Sequence, residues 1–247
     1  MKYLLLSLLC FASIGRADET PTNVSAAVVM QHLLAHRATK DFSLKARLFP
    51  ERDRSVEVEM LVHNSVTETR TIYREGQTEL LIVQPVTGGV RWFLRGTGEL
   101  TGTNRLAKLA GSQFTLYDLG APFLRWPDGK VVELGRVRGR DCHVVEIPGV
   151  AGEPYSKVKL WVDREFSALV RAELYDLDEG LARRMGITSF KRLGELWIPR
   201  VIEVGFVTPH QALPSEEKSR LEIYEGDYAT RLPAELFEEV KFLNDHH

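Results

Sequence analysis

Four short stretches of alternating polar and apolar residues follow one another between Tyr155 and Arg200, and they constrain the fold more than any other feature of the chain. Short turn segments separate them at 163–164, 176–180 and 193–195. Alternation with a period of two is typical of a β-strand that buries one face, and polar turns are typical of hairpin connections. This segment therefore predicts an antiparallel β-meander.

Similar stretches occur on both sides of the meander. In Ser55–His63, for example, apolar residues alternate with Glu57 and Glu59, and a turn signal at Gly88–Gly89 separates later stretches. Short strands at such regular spacing are typical of a sandwich or a barrel. The sequence shows no internal repeat or linker, so we expect residues 18–247 to form a single, mainly β domain.

A helical pattern occupies Thr22 to Arg37. Apolar residues recur there at three- and four-residue spacing, which indicates an amphipathic helix whose broad apolar face must lie on another layer. Asn23 and Ser25 are both candidates for its N-cap, because short polar side chains accept hydrogen bonds from the free amides of a first helical turn. A separate short helical turn is expected near the end of the chain, at Pro233–Phe237.

A long segment rich in Gly and Thr, Gly96 to Arg125, interrupts the strands. Short helices are expected at Asn104–Ala110 and near Thr115–Leu119. Long insertions of this kind often act as lids or binding loops. Two interpretations stay open: a lid, or a satellite core under a long connection.

The first 17 residues have the pattern of a secretory signal peptide. Lys2 precedes a short apolar run, Leu4–Ile14, and Gly15 and Ala17 occupy the −3 and −1 positions of a cleavage site. The run is too short for a membrane helix, which needs about 20 residues. We therefore expect export to the periplasm and a mature chain that begins at Asp18.

The two cysteines suggest neither a lipid anchor nor a disulfide. Leu9 stands before Cys10 where a lipoprotein would have a small residue, so we do not expect anchoring at Cys10. Cleavage would leave Cys142 alone. Cys142 and His143 are neighbours on a predicted strand and would point to opposite faces, so they could not act together as nucleophile and base.

Charge and motifs exclude several classes of function. Without Lys2 and Arg16, 30 basic residues face 34 acidic ones, which argues against a nucleic-acid partner. The chain has no nucleophile elbow, zinc-protease helix, C-x-x-C pair, phosphate-binding loop or dinucleotide fingerprint. His32 and His36 could share a metal ion only with a third ligand, and none is nearby in the sequence. The Arg183–Arg184 pair is predicted to lie in a loop between two strands. We therefore expect no enzyme activity, no cofactor and no metal.

With these classes of site excluded, the large apolar side chains are the remaining candidates for a functional site. A sheet with one apolar face needs a covering layer, and a curved sheet under helices leaves room either for an apolar cavity or for a filled core. If a cavity is present, the candidate lining residues are Trp92, Phe114, Tyr117, Trp126, Trp161 and Trp197.

A set of short motifs resembles one known family. The stretch G-S-Q-F-T-L-Y-D-L at Gly111–Leu119 is followed in order by Y-S-K-V-K-L-W-V-D, E-L-Y-D, F-K, L-W-I-P-R and L-P-A-E-L-F, the last at Leu232–Phe237. Their order is similar to that in the LolA-like outer-membrane lipoprotein-sorting proteins. The resemblance is best from about Trp92 to Phe237. One departure is Gly96–Thr103, where relatives have a more basic segment.

The resemblance implies a half-open antiparallel β-barrel, a curved sheet covered by the N-terminal helix and short lid helices. It also implies a periplasmic carrier that binds the acyl chains of lipoproteins, or another amphiphile, for transfer toward the outer membrane. The alternative is a lipid-sensing periplasmic regulator that binds a membrane-anchored signalling partner. For a carrier, the expected protein partner is an inner-membrane exporter or permease, and we expect the protein itself to be a monomer.

Overall fold

The computed structural model describes residues 24–35, 38–51, 53–207 and 218–243. The expected signal peptide, residues 1–17, lies outside the described residues. No helix in the described part of the chain is long and apolar enough to cross a membrane.

The described residues form one antiparallel sheet of thirteen strands. These are β1 Phe42–Glu51, β2 Arg54–Asn64, β3 Glu68–Glu75, β4 Thr78–Pro85, β5 Arg91–Leu94, β6 Gly98–Leu100, β7 Lys130–Val137, β8 Arg140–Pro148, β9 Lys157–Asp163, β10 Leu169–Tyr175, β11 Leu181–Leu193, β12 Leu196–Phe206 and β13 Lys218–Tyr228. This confirms the predicted meander and the mainly β fold.

The strand order is a ring that is broken at one place. Strands that follow one another in sequence pair with each other, except β6 and β7, and β13 pairs back with β1 through contacts such as Phe42 with Tyr228. Within the described residues, β6 and β7 are the two edge strands. The sheet is therefore curved but not closed, which confirms the half-open barrel that the resemblance implies.

One face of this curved sheet carries the main core. The predicted alternation is confirmed on β9, where Val158, Leu160 and Val162 are buried in the main core and Trp161 points to the other face. Every strand contributes to this core, although β7 does so only through the half-buried Val131. We call this face the concave face.

The N-terminal helix, α1, spans Ala26–Leu34 and lies on the concave face. Ser25 is its N-cap, because its Oγ accepts a hydrogen bond from the Val28 amide at 3.3 Å. Ala26, Val29 and Leu33 are buried in the main core. The predicted helix is thus confirmed over its central part; its other candidate cap, Asn23, lies outside the described residues.

A second apolar cluster covers part of the opposite, convex face. The C-terminal strap, residues 232–243, contains two 3₁₀ turns, Ala234–Phe237 and Glu239–Phe242. Phe237 and Phe242 are fully buried against apolar side chains of β2 to β5, namely Leu61, Ile72, Leu81, Val83 and Phe93. The short helical turn expected near Pro233 is thus confirmed, and it explains why several of these strands are apolar on both faces.

Three arginines of the sheet hold the strap in place. Arg91 donates two hydrogen bonds to the Glu239 carboxylate, at 2.7 and 2.8 Å. Arg70 donates to the Phe237 carbonyl at 2.6 Å, and Arg95 donates to the Lys241 carbonyl at 2.8 Å. Charged donors satisfy strap carbonyls that have no strand partner, so the strap is fixed without adding a strand.

We expect Phe237→Ala to lower the free energy of unfolding by about 3–5 kcal/mol, because it removes a fully buried ring from this cluster. Urea denaturation followed by tryptophan emission measures the effect. Val240→Ala is the matched control in the same strap: Val240 is 65% exposed, so its truncation should change stability by less than about 0.5 kcal/mol. Equal effects of the two substitutions would contradict the packing role of Phe237.

Candidate functional site

The concave face is filled by the chain segment that joins the two edge strands. We call residues 101–126 the plug. It contains a 3₁₀ turn, Gly102–Leu106, the short helix α2, Leu116–Gly120, and a second 3₁₀ turn, Pro122–Arg125. Its buried apolar side chains join the main core: Leu109, Phe114, Leu116, Tyr117, Leu119, Phe123, Leu124 and Trp126. The first turn begins two residues before the predicted Asn104–Ala110 and ends at Leu106, whereas α2 is close to the prediction.

Local sequence explains why α2 forms at this place. Thr115 and Asp118 make a capping box, in which the Asp118 amide donates to Thr115 Oγ1 and the Thr115 amide donates to Asp118 Oδ2 at 2.7 Å. The helix ends at Ala121, which adopts a left-handed conformation, and Pro122 begins the next turn. Five residues are too few for an independently stable helix, so α2 depends on the packing around it.

Single hydrogen bonds from side chains, rather than a strand ladder, attach the plug to the sheet. Gln84 Nε2 donates to the Gly120 carbonyl at 2.8 Å, and Trp92 Nε1 donates to the Leu116 carbonyl at 2.8 Å. The Gln113 amide donates to Ser219 Oγ at 2.8 Å. These contacts come from strands on both sides of the β1–β13 junction, so they centre the plug in the concavity.

A buried ion pair fixes α2 to β11. Arg183 Nη2 donates to Asp118 Oδ2 and, at 2.6 Å, to the Gln113 carbonyl, and both charged side chains are almost fully buried. The Phe206 ring covers the guanidinium at 4.4 Å. The expectation of a loop at Arg183–Arg184 is therefore wrong: both residues lie within β11, and the strand begins at Leu181.

A weak signal for this ion pair is present in the sequence of β11. In L-A-R-R-M-G-I, alternation assigns Arg183 to the same face as Met185 and Ile187, which both lie in the main core. An arginine at an inward position is costly unless a carboxylate meets it. That carboxylate, Asp118, is 65 residues away in sequence and could not be identified from the strand alone.

A cleft of about 510 Å³ opens where the start of the plug meets the hairpin loop between β8 and β9. We call it the mouth cleft. Its walls are Gly102, Thr103 and Arg105 of the plug, loop residues 149–156 and Leu177. The mouth cleft therefore lies at the end of the sheet where the start of the plug, the β8–β9 loop and the β10–β11 turn come together.

Arg105 and Glu153 join the two walls of the mouth cleft. Arg105 Nη1 donates to Glu153 Oε1 at 3.0 Å, and Arg105 Nε donates to the Gly102 carbonyl at 3.1 Å. The guanidinium lies 5.2 Å from the ring centroid of Trp92 and 5.5 Å from that of Tyr117. Two aromatic faces and a paired carboxylate offset the cost of removing the Arg105 charge from water, which explains how Arg105 can be buried.

The tyrosines below the mouth cleft stay protonated. Burial, and next the negative charge of Glu153, raises the pKa of Tyr117 far above its ordinary value. Burial also raises the pKa of Tyr155, whose ring packs edge-on against Tyr117 with centroids 5.5 Å apart. Both hydroxyls therefore remain neutral hydrogen-bonding groups at any physiological pH.

Four of the six predicted lining residues come together in the main core. Trp92, Phe114, Tyr117 and Trp126 are all buried there, and Trp92 stacks on Tyr117 with ring centroids 6.1 Å apart. Trp161 instead packs on the convex face beside Val137, Cys142 and Val170. Trp197 is half-buried and packs against the main core.

Cys142 has the surroundings of a packed side chain. Burial raises the pKa of its thiol to about 11, so the thiol is protonated at neutral pH and is a poor nucleophile. Burial likewise lowers the pKa of the neighbouring His143. Within the described residues, no group of three or more His, Cys, Asp or Glu side chains is placed to hold a metal ion.

We expect Gly120→Ala to loosen the plug. A Cβ at Gly120 would lie 2.5 Å from Cζ2 of Trp92, so the indole or α2 must shift, at a cost of about 1–3 kcal/mol in unfolding free energy. Urea denaturation and the tryptophan emission spectrum together measure this. Gly186→Ala is the control, because a Cβ there meets nothing within 4 Å; it should leave stability unchanged or raise it slightly.

Substitution of the buried Arg183 should destabilise the protein more than substitution of its neighbour Arg184. We expect Arg183→Met to lower the free energy of unfolding by about 3–5 kcal/mol, because it leaves the Asp118 carboxylate buried without its cation. Arg184→Met, on the other face of β11, removes a half-buried pair with Glu173 and should cost about 1 kcal/mol or less. If thermal or urea denaturation ranks them in the reverse order, the ion pair does not anchor the plug.

The fold is similar to that of several solved structures. A domain from Vibrio parahaemolyticus, named as an outer membrane lipoprotein-sorting protein domain, is one of them. It matches with a TM-score of 0.69 at 15% identity, over 81% of this chain and 90% of that one. A DUF1329 family protein from Desulfovibrio piger matches with a TM-score of 0.68 at 14% identity, over 83% of this chain and 92% of that one.

A LolA superfamily protein from Nitrosomonas europaea matches with a TM-score of 0.56 at 19% identity, over 87% of this chain and 98% of that one. None of the curated proteins matches the chain significantly. A family model described as "Uncharacterized protein" matches residues 93–243, more than half of the chain. The chain therefore belongs to the family of that model, and its fold is that of the LolA-like proteins.

Proposed function

We propose that this protein is a periplasmic carrier that binds acyl chains of lipoproteins, or another amphiphile, on the concave face of its half-open barrel. One observation carries the proposal: in the described part of the chain the sheet is open between β6 and β7, and its apolar concave face is covered by two segments, α1 and the plug, that add no strand to it. Covers of this kind can move without breaking the sheet.

Acyl chains would replace the side chains of the plug on the concave face of the sheet. Burial of apolar surface contributes roughly 0.8 kcal/mol for each CH₂ group. The plug buries large apolar side chains such as Phe114 and Phe123 on the concave face. When acyl chains displace the plug, their contacts with this face replace apolar contacts that the plug made there. The net free energy of the exchange is therefore small compared with either contact, as a carrier that must also release its cargo requires.

Similarity to solved structures supports this proposal at the level of the fold. The Vibrio parahaemolyticus domain is described by its name as lipoprotein-sorting, and it shares this sheet architecture. For the present chain, export through residues 1–17, residence in the periplasm and hand-over from an inner-membrane exporter or permease are parts of the proposal. Of the predicted lining residues, those that lie in the main core are proposed to contact cargo, with Trp92 and Trp126 as the best-placed fluorescent reporters. Trp161 packs on the convex face and is not part of this proposal.

Helix α1 is the smaller of the two covers, and the structure offers a way to lock it. Its apolar contacts come mainly from Ala26, Val29 and Leu33. A Cβ at Gly129, directly before β7, would lie 3.5 Å from the Cβ of Ala26. This separation falls within the range of disulfide-bonded cysteines, so the pair Ala26→Cys with Gly129→Cys should cross-link α1 to the sheet edge.

The test measures lipid binding by the mature wild-type protein and by this double-cysteine variant. We expect lipid in organic extracts of the purified wild-type protein, detected by mass spectrometry, and saturable uptake of a fluorescent fatty acid. The oxidised double variant should take up at least about tenfold less of the fatty acid, and reduction should restore the uptake.

The two single-cysteine variants are the controls, since neither can form the cross-link. The native Cys142 is buried and its thiol is protonated, so it should not interfere. Absence of both extracted lipid and fatty-acid uptake in the wild type would refute the carrier function. Uptake that persists in the oxidised variant would instead show that lipid reaches the concave face without movement of α1.

A further inference from the structure

Arg183 is the buried cation that stays on the sheet when the plug moves. Within the described residues, two arginines are buried, Arg105 and Arg183. Arg105 belongs to the plug, whereas Arg183 lies on β11 with 1% of its surface exposed. The carboxylate partner of Arg183 is Asp118, which belongs to α2 and therefore to the plug. Movement of the plug would separate these two charges and leave Arg183 on the concave face.

The sheet around Arg183 is apolar. Its cross-strand neighbours are Leu174 on β10 and Phe206 on β12, and the next inward residue of β11 is Met185. The Phe206 ring centroid lies 4.4 Å from the guanidinium. A buried cation among such side chains is costly unless an anion meets it. Once the plug has moved, an anion that replaces Asp118 would therefore stabilise Arg183.

Asp118 uses only part of the hydrogen-bonding capacity of Arg183. Arg183 Nη2 donates to Asp118 Oδ2 and to the Gln113 carbonyl, whereas its Nε and Nη1 are buried without an acceptor among the described residues. Asp118 Oδ2 also accepts from the Thr115 amide, so the capping box restricts how this carboxylate can turn. A free carboxylate has no such restriction and can accept from two guanidinium N–H groups at once, which is the stronger geometry.

The ion pair lies close to the mouth cleft. Tyr155 lines the cleft, and although burial is the main cause of its raised pKa, the charges of Arg183 and Asp118 act on the same hydroxyl. Arg183 is also the third residue of β11, directly after the turn whose Leu177 lines the cleft. A head group held by Arg183 would therefore lie at this end of the concave face. Its acyl chain would extend along the following inward side chains of β11, which lie in the main core.

We infer that Arg183 binds the acidic head group of the cargo, a carboxylate or a phosphate, and that Asp118 occupies this position when no cargo is bound. The inference rests on the proposed function and adds a substrate class to it. In the exchange, Asp118 leaves with the plug and becomes hydrated, and the anion of the ligand takes its place beside the guanidinium. A neutral or cationic head group would leave the Arg183 charge without a partner.

Competition among amphiphiles that share a decyl-length chain tests the inference. The neutral dye N-phenyl-1-naphthylamine is bound to the mature wild-type protein and displaced by decanoate, decyl phosphate, decanol or decyltrimethylammonium. We expect the tighter of the two anions to displace the dye at a concentration at least about tenfold lower than decanol or the cation. The order of the two anions identifies the head group as a carboxylate or a phosphate. Equal or tighter binding of decanol would overturn the inference but leave the carrier function standing.

A double variant, Arg183→Met with Asp118→Asn, makes the test specific to the site. Replacement of both members of a buried ion pair is tolerated far better than loss of one, so this variant should fold. It should still bind decanol, whereas the preference for the anions should fall by about tenfold or more. Arg184→Met with Glu173→Gln is the matched control: it removes the neighbouring pair on the other face of β11 and should keep the wild-type ranking.

Asp118→Asn alone distinguishes head-group binding from a purely structural role of the ion pair. It removes the anion that competes for Arg183, so decanoate should gain on decanol by about tenfold or more. If the pair only held the plug in place, its loss would favour both ligands equally, and an unchanged ratio of the two would contradict the inference.

The outcomes separate the two proposals. If the double variant keeps the preference for anions while its circular dichroism matches that of the wild type, Arg183 does not bind the head group. If the wild type does not bind the dye, or releases it to none of the four amphiphiles, the carrier function fails and the inference fails with it.

Discussion

The missing hydrogen bonds between β6 and β7 are the constraint on which the rest of the structure depends. Each of the other neighbouring pairs in the ring is joined by a ladder, including the long-range pair β1 and β13. The two free edges are joined by residues 101–129, so the chain must cross the break, and burial of its apolar side chains draws it onto the concave face. The plug therefore follows from the topology.

Polar contacts fix the position of the plug on the concave face. Apolar packing is non-directional, so it would accept many positions of α2 on the concave face. The Arg183–Asp118 pair fixes α2 to β11, and Arg105 with Glu153 fixes the start of the plug to the β8–β9 loop. Buried ion pairs of this kind add little net stability but are expensive to break, so their role here is to select one arrangement.

Several elements could be predicted because their signals are local. The strand pattern, the centre of α1 with its Ser25 cap and the turn near Phe237 each depend on residues close together in sequence. The Arg183–Arg184 pair was misread because its meaning depends on a distant residue, Asp118. The convex cluster was likewise invisible, since the strap that covers it lies far along the chain from β2 to β5.

By itself, the sequence determined a mainly β domain with an N-terminal helix, a long insertion and a set of candidate aromatic residues, because periodicity and turn chemistry operate over a few residues. Only the tertiary structure decided that Trp92 and Tyr117 stack inside whereas Trp161 packs outside, and that Arg105 pairs with Glu153 and lies over the Tyr117 ring. Those contacts depend on sheet curvature and on the ring break, which are properties of the whole set of strand pairings.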